Sequence, residues 1–247
     1  MAINRDSNGY TFGFAIILVV VVGALLAGIA MWTKPFQDKN DTVKKKMNIL
    51  KAILPADEAE KITRKNAAVR FDEMVNLDNA VVLDMNGTVK EGVDPFDVDI
   101  RKEYRDKKLK EEDKNYPLYV AEIDGQNVYV IPVVGKGLWG PIWGNICLGS
   151  DMKTIKGATF DHKGETPGLG AEIKQAFFIK GWIGEQIMTE EGEPIKFEVV
   201  KDNSGSSSEA KVDGITGGTI TSKGVEEMIN RCMKQLWSSC NASQHRP

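Results

Sequence analysis

The sequence predicts an α+β fold, in which one N-terminal transmembrane helix is followed by a single domain built on a mixed, mainly antiparallel sheet. Three observations carry this. An apolar run without a charge occupies Phe12 to Met31, about the 20 residues needed to cross a hydrocarbon core. Short β-branched runs cluster in the middle of the chain, two of them flanking a hairpin turn. Helical patterns lie toward the ends instead of alternating with the strands, which argues against a parallel sheet. The boundaries predicted are a short N-terminal segment over 1–11, a transmembrane helix over 12–32, a juxtamembrane helix over 33–56 and one domain over 57–247, long enough to bury a substantial core.

The apolar run reads as a retained anchor. A cleavable signal would need a basic start and a small-x-small site before a polar segment, whereas Trp32 and Lys34 stand where interfacial anchors belong. Val43, Met47, Leu50 and Leu54 fall at helical spacing and predict a helix over 42–54 that Pro55 halts, with Lys44, Lys45 and Lys46 on its solvated face. Another helix is expected within 57–75. Strands are predicted at 80–85, 119–123, 128–134, 142–148, 153–160 and 196–200, with Gly125-Gln126-Asn127 turning the second into the third. Residues 171–178 read as a short helix, Ser204 to Ser208 as a flexible loop, and the charged stretch from Asp99 to Lys114 as a surface insertion.

Composition narrows the chemistry. The net charge is −3, with no basic excess to favour nucleic acid. Two histidines and three cysteines without a C-x-x-C pair offer no ligand set for zinc, an iron–sulfur cluster or a c-type haem, so no metal site is predicted and any redox chemistry must come from an organic cofactor. Cys147 reads as an inert thiol in a strand. Cys232 and Cys240 lie about 12 Å apart along an unbroken helix, and pair only if the chain turns back after Trp237. Gly135-x-Gly137-x-x-Gly140 has dinucleotide-binding spacing, but Pro141, Trp143 and Gly144 follow where a helix would have to begin. Asp161 beside His162 lacks an accompanying nucleophile, and His162 reads as part of a surface turn.

The most informative segment is Asp213-Gly214-Ile215-Thr216-Gly217-Gly218-Thr219-Ile220-Thr221-Ser222. Its glycines allow a tight turn, and Val225, Met228, Ile229, Cys232, Met233 and Leu236 recur on one helical face after it. Ser222 is the predicted N-cap, with Glu226 and Glu227 near the first turn and Arg231 and Lys234 further on. The hydroxyls of Thr216, Thr219, Thr221 and Ser222 therefore lie where a helix presents unpaired N–H groups to an anion.

The pattern Asp213-x-x-Thr216-Gly217-x-Thr219 resembles the flavinylation motif at which a flavin transferase joins FMN to the last threonine, with Gly218 where many members carry Ala. His162-Lys-Gly-Glu165-Thr166-Pro167-Gly168-Leu169-Gly170-Ala-Glu-Ile173 resembles a second signature of the same FMN-binding domain, and Gly137-Leu-Trp139-Gly140 with Trp143-Gly144 a third. In this order behind a hydrophobic span, they resemble the C subunits of sodium-translocating NADH:quinone reductases (Nqr) and, more distantly, the G subunits of Rnf complexes.

That resemblance implies an electron-relay subunit of a translocase that is not catalytic in isolation. It carries FMN as a phosphoester on Thr219. The cofactor-binding set is Trp139, Glu165, Thr166, Pro167, Gly168, Leu169, Gly170, Thr216, Gly217, Gly218 and Ile220, and Asp213, Gly214, Thr216 and Gly217 are read by the transferase. The implied partners are that transferase and the other Nqr subunits, among them a second covalent-FMN membrane subunit and iron–sulfur-bearing membrane subunits. The resemblance places the domain outside the bacterial cytoplasmic membrane, although Lys34, Lys39 and Lys44 to Lys46 outnumber Arg5 across the span and direct it inward. An Rnf-type subunit exchanging electrons with ferredoxin and NAD, and a membrane-tethered scaffold with an unmodified turn, are the two alternatives.

Overall fold

The structure, a computed structural model, describes residues 7–202, 204, 205 and 209–234 in full and 235–244 by their backbone. They divide between Lys45 and Lys46 into two compact units. The first is helix α1, which runs as one element from Asn8 to Ile53 and continues into the second unit. Its apolar window has a mean hydropathy of 2.9 and the length to cross a membrane. The expected separation into a span and a juxtamembrane helix is absent. α1 passes through Pro35, whose ring nitrogen offers no hydrogen to the Met31 carbonyl, and ends shortly before Pro55.

The second unit is organised by a five-stranded antiparallel meander in sequence order: β1 Val75–Leu83, β2 Tyr116–Ile123, β3 Gln126–Lys136, β4 Pro141–Leu148 and β5 Ile155–His162. The β2–β3 turn is Asp124-Gly125, earlier than read from the sequence, with φ values of 49° and 76°. Both residues are left-handed, as a two-residue hairpin turn that matches strand twist requires. Register follows, with Tyr119 opposite Val130 and Ala121 opposite Val128.

Each face of the sheet is covered. On one, Ile131, Val133, Ile142, Ile146 and Phe160 pack with Val225, Met228 and Ile229 of α6 (Thr219–Gln244). A 3₁₀ turn over Gly170–Lys174 and α5 (Ala176–Lys180) complete that layer. Trp182, fully buried, meets Phe160, Phe178 and Phe197 edge to face at 6.1, 6.1 and 5.4 Å. The other face takes the end of α1: Ile49, Leu50, Ala52 and Ile53 are buried, the Ala52 carbonyl lies directly over Gly157, and Thr159 Oγ1 donates to the Asn48 carbonyl at 3.2 Å. After α2 (Ala56–Ala59) comes α3 (Ala67–Met74), whose Phe71 meets Phe96 at 5.6 Å; Phe96 in turn meets Tyr119 at 6.5 Å. A parallel pair, β6 (Glu198–Val200) and the unexpected β7 (Lys211–Asp213), leads into the Asp213 segment.

The charged stretch is not a loose insertion. α4 (Ile100–Arg105) is capped by Asp99, which accepts from the N–H groups of Arg101 and Lys102. The Arg101 guanidinium lies 5.0 Å over the Trp143 ring, and that of Arg231 on α6 lies 5.1 Å over Tyr104. Lys90 Nζ donates to the carbonyls of Asp113 and Lys114 at 2.9 Å each. Cys147 and Cys232 are free thiols; burial pushes the first up to about 12 and raises the second. The side chain of Cys240, His245 and most of the Ser204 to Ser208 loop lie outside the described residues.

Candidate functional site

Three segments meet where β3 hands over to β4, β5 ends and α6 begins. The first is the Gly137–Gly140 loop, closed by the Gly137 N–H donating to the Gly140 carbonyl at 2.8 Å. No helix follows, only β4, so the glycine spacing at 135–140 builds a hairpin and not a nucleotide-binding turn. The second is 162–170, folded on itself by Leu169 and Ala171 N–H groups that both donate to the Thr166 carbonyl. The third is 213–222.

The third segment differs from its sequence reading in one consequential way. α6 begins at Thr219, so Gly218 and not Ser222 holds the N-cap position, and the first helical bond runs from the Ser222 N–H to the Gly218 carbonyl at 2.9 Å. Ser222 Oγ is buried, donating to the Gly218 carbonyl at 3.0 Å and accepting from the Ile215 N–H at 3.1 Å. Thr221 Oγ1 is buried too and donates to Glu165 at 2.6 Å. A glycine cap has no side chain to offer, and the N–H groups of Thr219, Ile220 and Thr221 have no partner among the described residues. Such open N–H groups suit an anion, and they lie beside a partly exposed Thr219.

Two glycines give this turn its shape. Gly217 has φ +74°, and a β-carbon there would fall 2.6 Å from Leu169 Cδ2; at Gly218 one would fall 2.9 Å from the Leu169 carbonyl oxygen. The second and third segments are therefore in backbone contact. Exposed apolar side chains surround the junction: Trp139, Ile220, Leu138 and Leu169 are 69%, 61%, 49% and 41% accessible. These features fit a phosphorylated, planar cofactor, with open amides for the phosphate and apolar surface for the ring.

The predicted residues separate into two groups. Trp139, Thr166, Pro167, Gly168, Leu169, Thr216, Gly217 and Ile220 are exposed at the junction. Glu165, Gly170 and Gly218 are buried beneath it. Both Glu165 oxygens are engaged inside the protein, Oε1 by the Trp139 N–H at 2.8 Å and Oε2 by Thr221. Asp213 is partly buried and accepts from the Gly205 N–H at 2.8 Å, while Gly214 is pressed against Val199 and the Val200 carbonyl. His162 is the last residue of β5 and not part of a surface turn; its Nδ1 accepts from the Glu165 N–H at 3.1 Å, and its buried Nε2 has no partner among the described residues. No sequence signal points to the Glu165–Thr221 bond, which joins positions 56 residues apart.

The FMN-binding domain family matches residues 137–234, the stretch that contains all three segments. The crystal structure of the C subunit of the Na(+)-translocating NADH-quinone reductase from Parabacteroides distasonis superimposes with a TM-score of 0.71 at 36% identity, covering 83% of this chain and 96% of that one. The corresponding protein of Pseudomonas aeruginosa is 29% identical over 245 residues, 92% of each protein. NqrC of Shewanella oneidensis, 22% identical with a TM-score of 0.60, shares the fold. The N-terminal span, the antiparallel meander and the junction at Thr219 thus coincide with near full-length similarity, and the chain belongs to the family of C subunits of the Na(+)-translocating NADH-quinone reductase.

Proposed function

We propose that this protein is the FMN-bearing member of a sodium-translocating NADH–quinone reductase, with FMN esterified through its phosphate to Thr219 and the flavin domain outside the cytoplasm. The observation that carries the assignment is the selective presentation of one hydroxyl. Of the four in the motif, those of Thr221 and Ser222 are buried and hydrogen-bonded, whereas Thr219 is partly exposed at the open amides that begin α6. Thr216 is exposed as well, but it precedes the helix and lacks those amides. When bound, FMN supplies reversible electron transfer.

The chain's own residues hold and orient. Thr219 Oγ1 would take the FMN phosphoryl group from an activated flavin nucleotide held by the transferase, exchanging its O–H for an O–P bond as the donor's P–O–P bond breaks and the nucleoside monophosphate leaves, and the N–H groups of Thr219, Ile220 and Thr221 would hold the phosphate. Leu169, Ile220 and Trp139 offer apolar surface to the ring, which limits water on that side. Thr216 and Gly217 are the exposed part of the motif for a transferase to read, while Asp213 and Gly214 act through the turn they brace. The span from Phe12 to Met31 has no ionisable side chain, so sodium crosses through partner subunits. Those partners are the other membrane subunits of the complex, including flavin- and iron–sulfur-bearing ones.

The test is covalent chemistry. Protein made with an active flavin transferase should give a fluorescent band on a denaturing gel under ultraviolet light. Cleavage after Lys211 and Lys223 should release Val212 to Lys223 carrying one FMN less one water, localised to Thr219 by fragmentation. Thr219→Ala should be folded and colourless; flavin still attached in that variant overturns the assignment.

A further inference from the structure

We propose that Glu165 is a positioning residue for the flavin, its carboxylate coupling the Trp139 loop to the first turn of α6 so that the ring of the FMN esterified through its phosphate at Thr219 takes one orientation; this rests on the FMN reading above. Glu165 is only 4% exposed, and no Lys, Arg or His lies within ion-pair distance among the described residues. Burying a carboxyl group without a cation is costly unless its oxygens are hydrogen-bonded. Both are: Oε1 accepts from the Trp139 N–H at 2.8 Å and Oε2 from Thr221 Oγ1 at 2.6 Å, while the residue's own N–H donates to His162 Nδ1 at 3.1 Å. Room for the group comes from two glycines. A β-carbon on Gly137 would fall 2.6 Å from Oε1, and one on Gly170 would fall 2.6 Å from Oε2.

The arrangement does what an apolar side chain filling the same space cannot. It accepts from two segments in fixed directions, the Trp139 loop and the turn of α6 that carries Thr219. Thr221 lies in the first turn of α6, so rotating that turn, and with it the direction in which Thr219 projects, stretches the Thr221–Glu165 bond. Trp139 is held by its backbone while its indole stays 69% exposed, available to lie against a ring. Glu165 therefore sets where a flavin ring meets the indole without touching the ring.

The experiment uses the full-length protein, produced with an active flavin transferase and purified in detergent, in five variants. Thr221→Val and Glu165→Ala break the coupling. Thr221→Ser and Glu165→Gln retain hydrogen-bonding groups at both ends. Ile146→Val, in the sheet core, serves as a control for general loss of stability. Flavin content is read by mass, and ring immobilisation by visible circular dichroism and flavin fluorescence anisotropy. Thr221→Val and Glu165→Ala should carry the same flavin per chain as the parent, with visible dichroism reduced at least twofold and anisotropy lowered. Thr221→Ser and Glu165→Gln should resemble the parent, as should Ile146→Val. Parent-like dichroism and anisotropy in Thr221→Val overturn the proposal. So does an equal loss in Ile146→Val, or Thr221→Val protein that lacks flavin, since Glu165 would then govern attachment and not orientation. A parent protein with no flavin on Thr219 is a different failure, that of the FMN reading itself.

Discussion

Gly217 and Leu169 share one space: a β-carbon on Gly217, at φ +74°, would fall 2.6 Å from Leu169 Cδ2. Left-handed backbone costs a residue with a β-carbon about 1–2 kcal/mol. The contact with a flexible side-chain end adds less. Gly217→Ala should therefore lower the free energy of unfolding by about 1–2 kcal/mol, and Gly217→Asn by less, because Asn tolerates this conformation better. Denaturant midpoints for the two variants check the order, and a neutral Gly217→Ala would refute the strain argument.

Gly157→Ala should be worse. Its β-carbon would collide with the Ala52 carbonyl, a backbone atom that cannot move without lifting the end of α1 from β5. Overpacking costs about 1–3 kcal/mol, and a backbone neighbour that cannot rotate away puts this case at the upper end. Gly164→Ala, which meets nothing within 4 Å, is the control. Thermal melts should show a large fall in Tm for the first and almost none for the second.

The cap of α4 gives a pH dependence of known sign. Burial opposes ionisation of Asp99, but Arg101, the N–H groups of Lys102 and Arg101, and Lys102 together hold its carboxyl below its ordinary value of 3.8. A folded value below the unfolded one contributes stability above the unfolded value and loses it as pH falls through the folded one. The stability difference between the parent and Asp99→Asn should thus be constant near neutrality and shrink below pH 3.8. Asp99→Ala should cost about 1 kcal/mol near neutrality through the lost cap. A parent–Asn difference that does not change with acidification would remove the charge from this account.

Topology is tested at Lys107, an exposed residue in the charged segment. In a cysteine-free background, Lys107→Cys should react with an impermeant maleimide on intact cells permeable only at the outer membrane. Reaction confined to lysed cells would put the domain in the cytoplasm, as the lysines after the span direct.

Much of the sheet was legible because its signals are local. The residues of β2 to β5 alternate or run apolar between turn residues, and the segment from Asp213 to Ser222 is one contiguous stretch. What the sequence hid depends on partners far along the chain. Ser222 has the chemistry of an N-cap, but its hydroxyl bonds back to the Gly218 carbonyl, and the cap falls to a glycine crowded by Leu169 and Ile215. Residues 99–114 look like solvated charge until Trp143 and Arg231 supply rings and cations from other elements. Glu165 reads as a ligand from its neighbours Thr166 to Gly170, yet its direction is fixed by Trp139 and Thr221.

The seating of α1 on β5 also orders events during synthesis. Asn48 and Thr159, bonded in the finished protein, are 111 residues apart in the chain. At ribosomal rates of roughly 5–20 residues per second, β5 emerges about 6–20 s after the helix that must rest on it. Throughout that interval Ile49, Leu50 and Ile53 lack the β5 strand on which the end of α1 rests. The nascent domain therefore passes through a stage in which this apolar face is incompletely covered, and a translation pause before β5 would lengthen it.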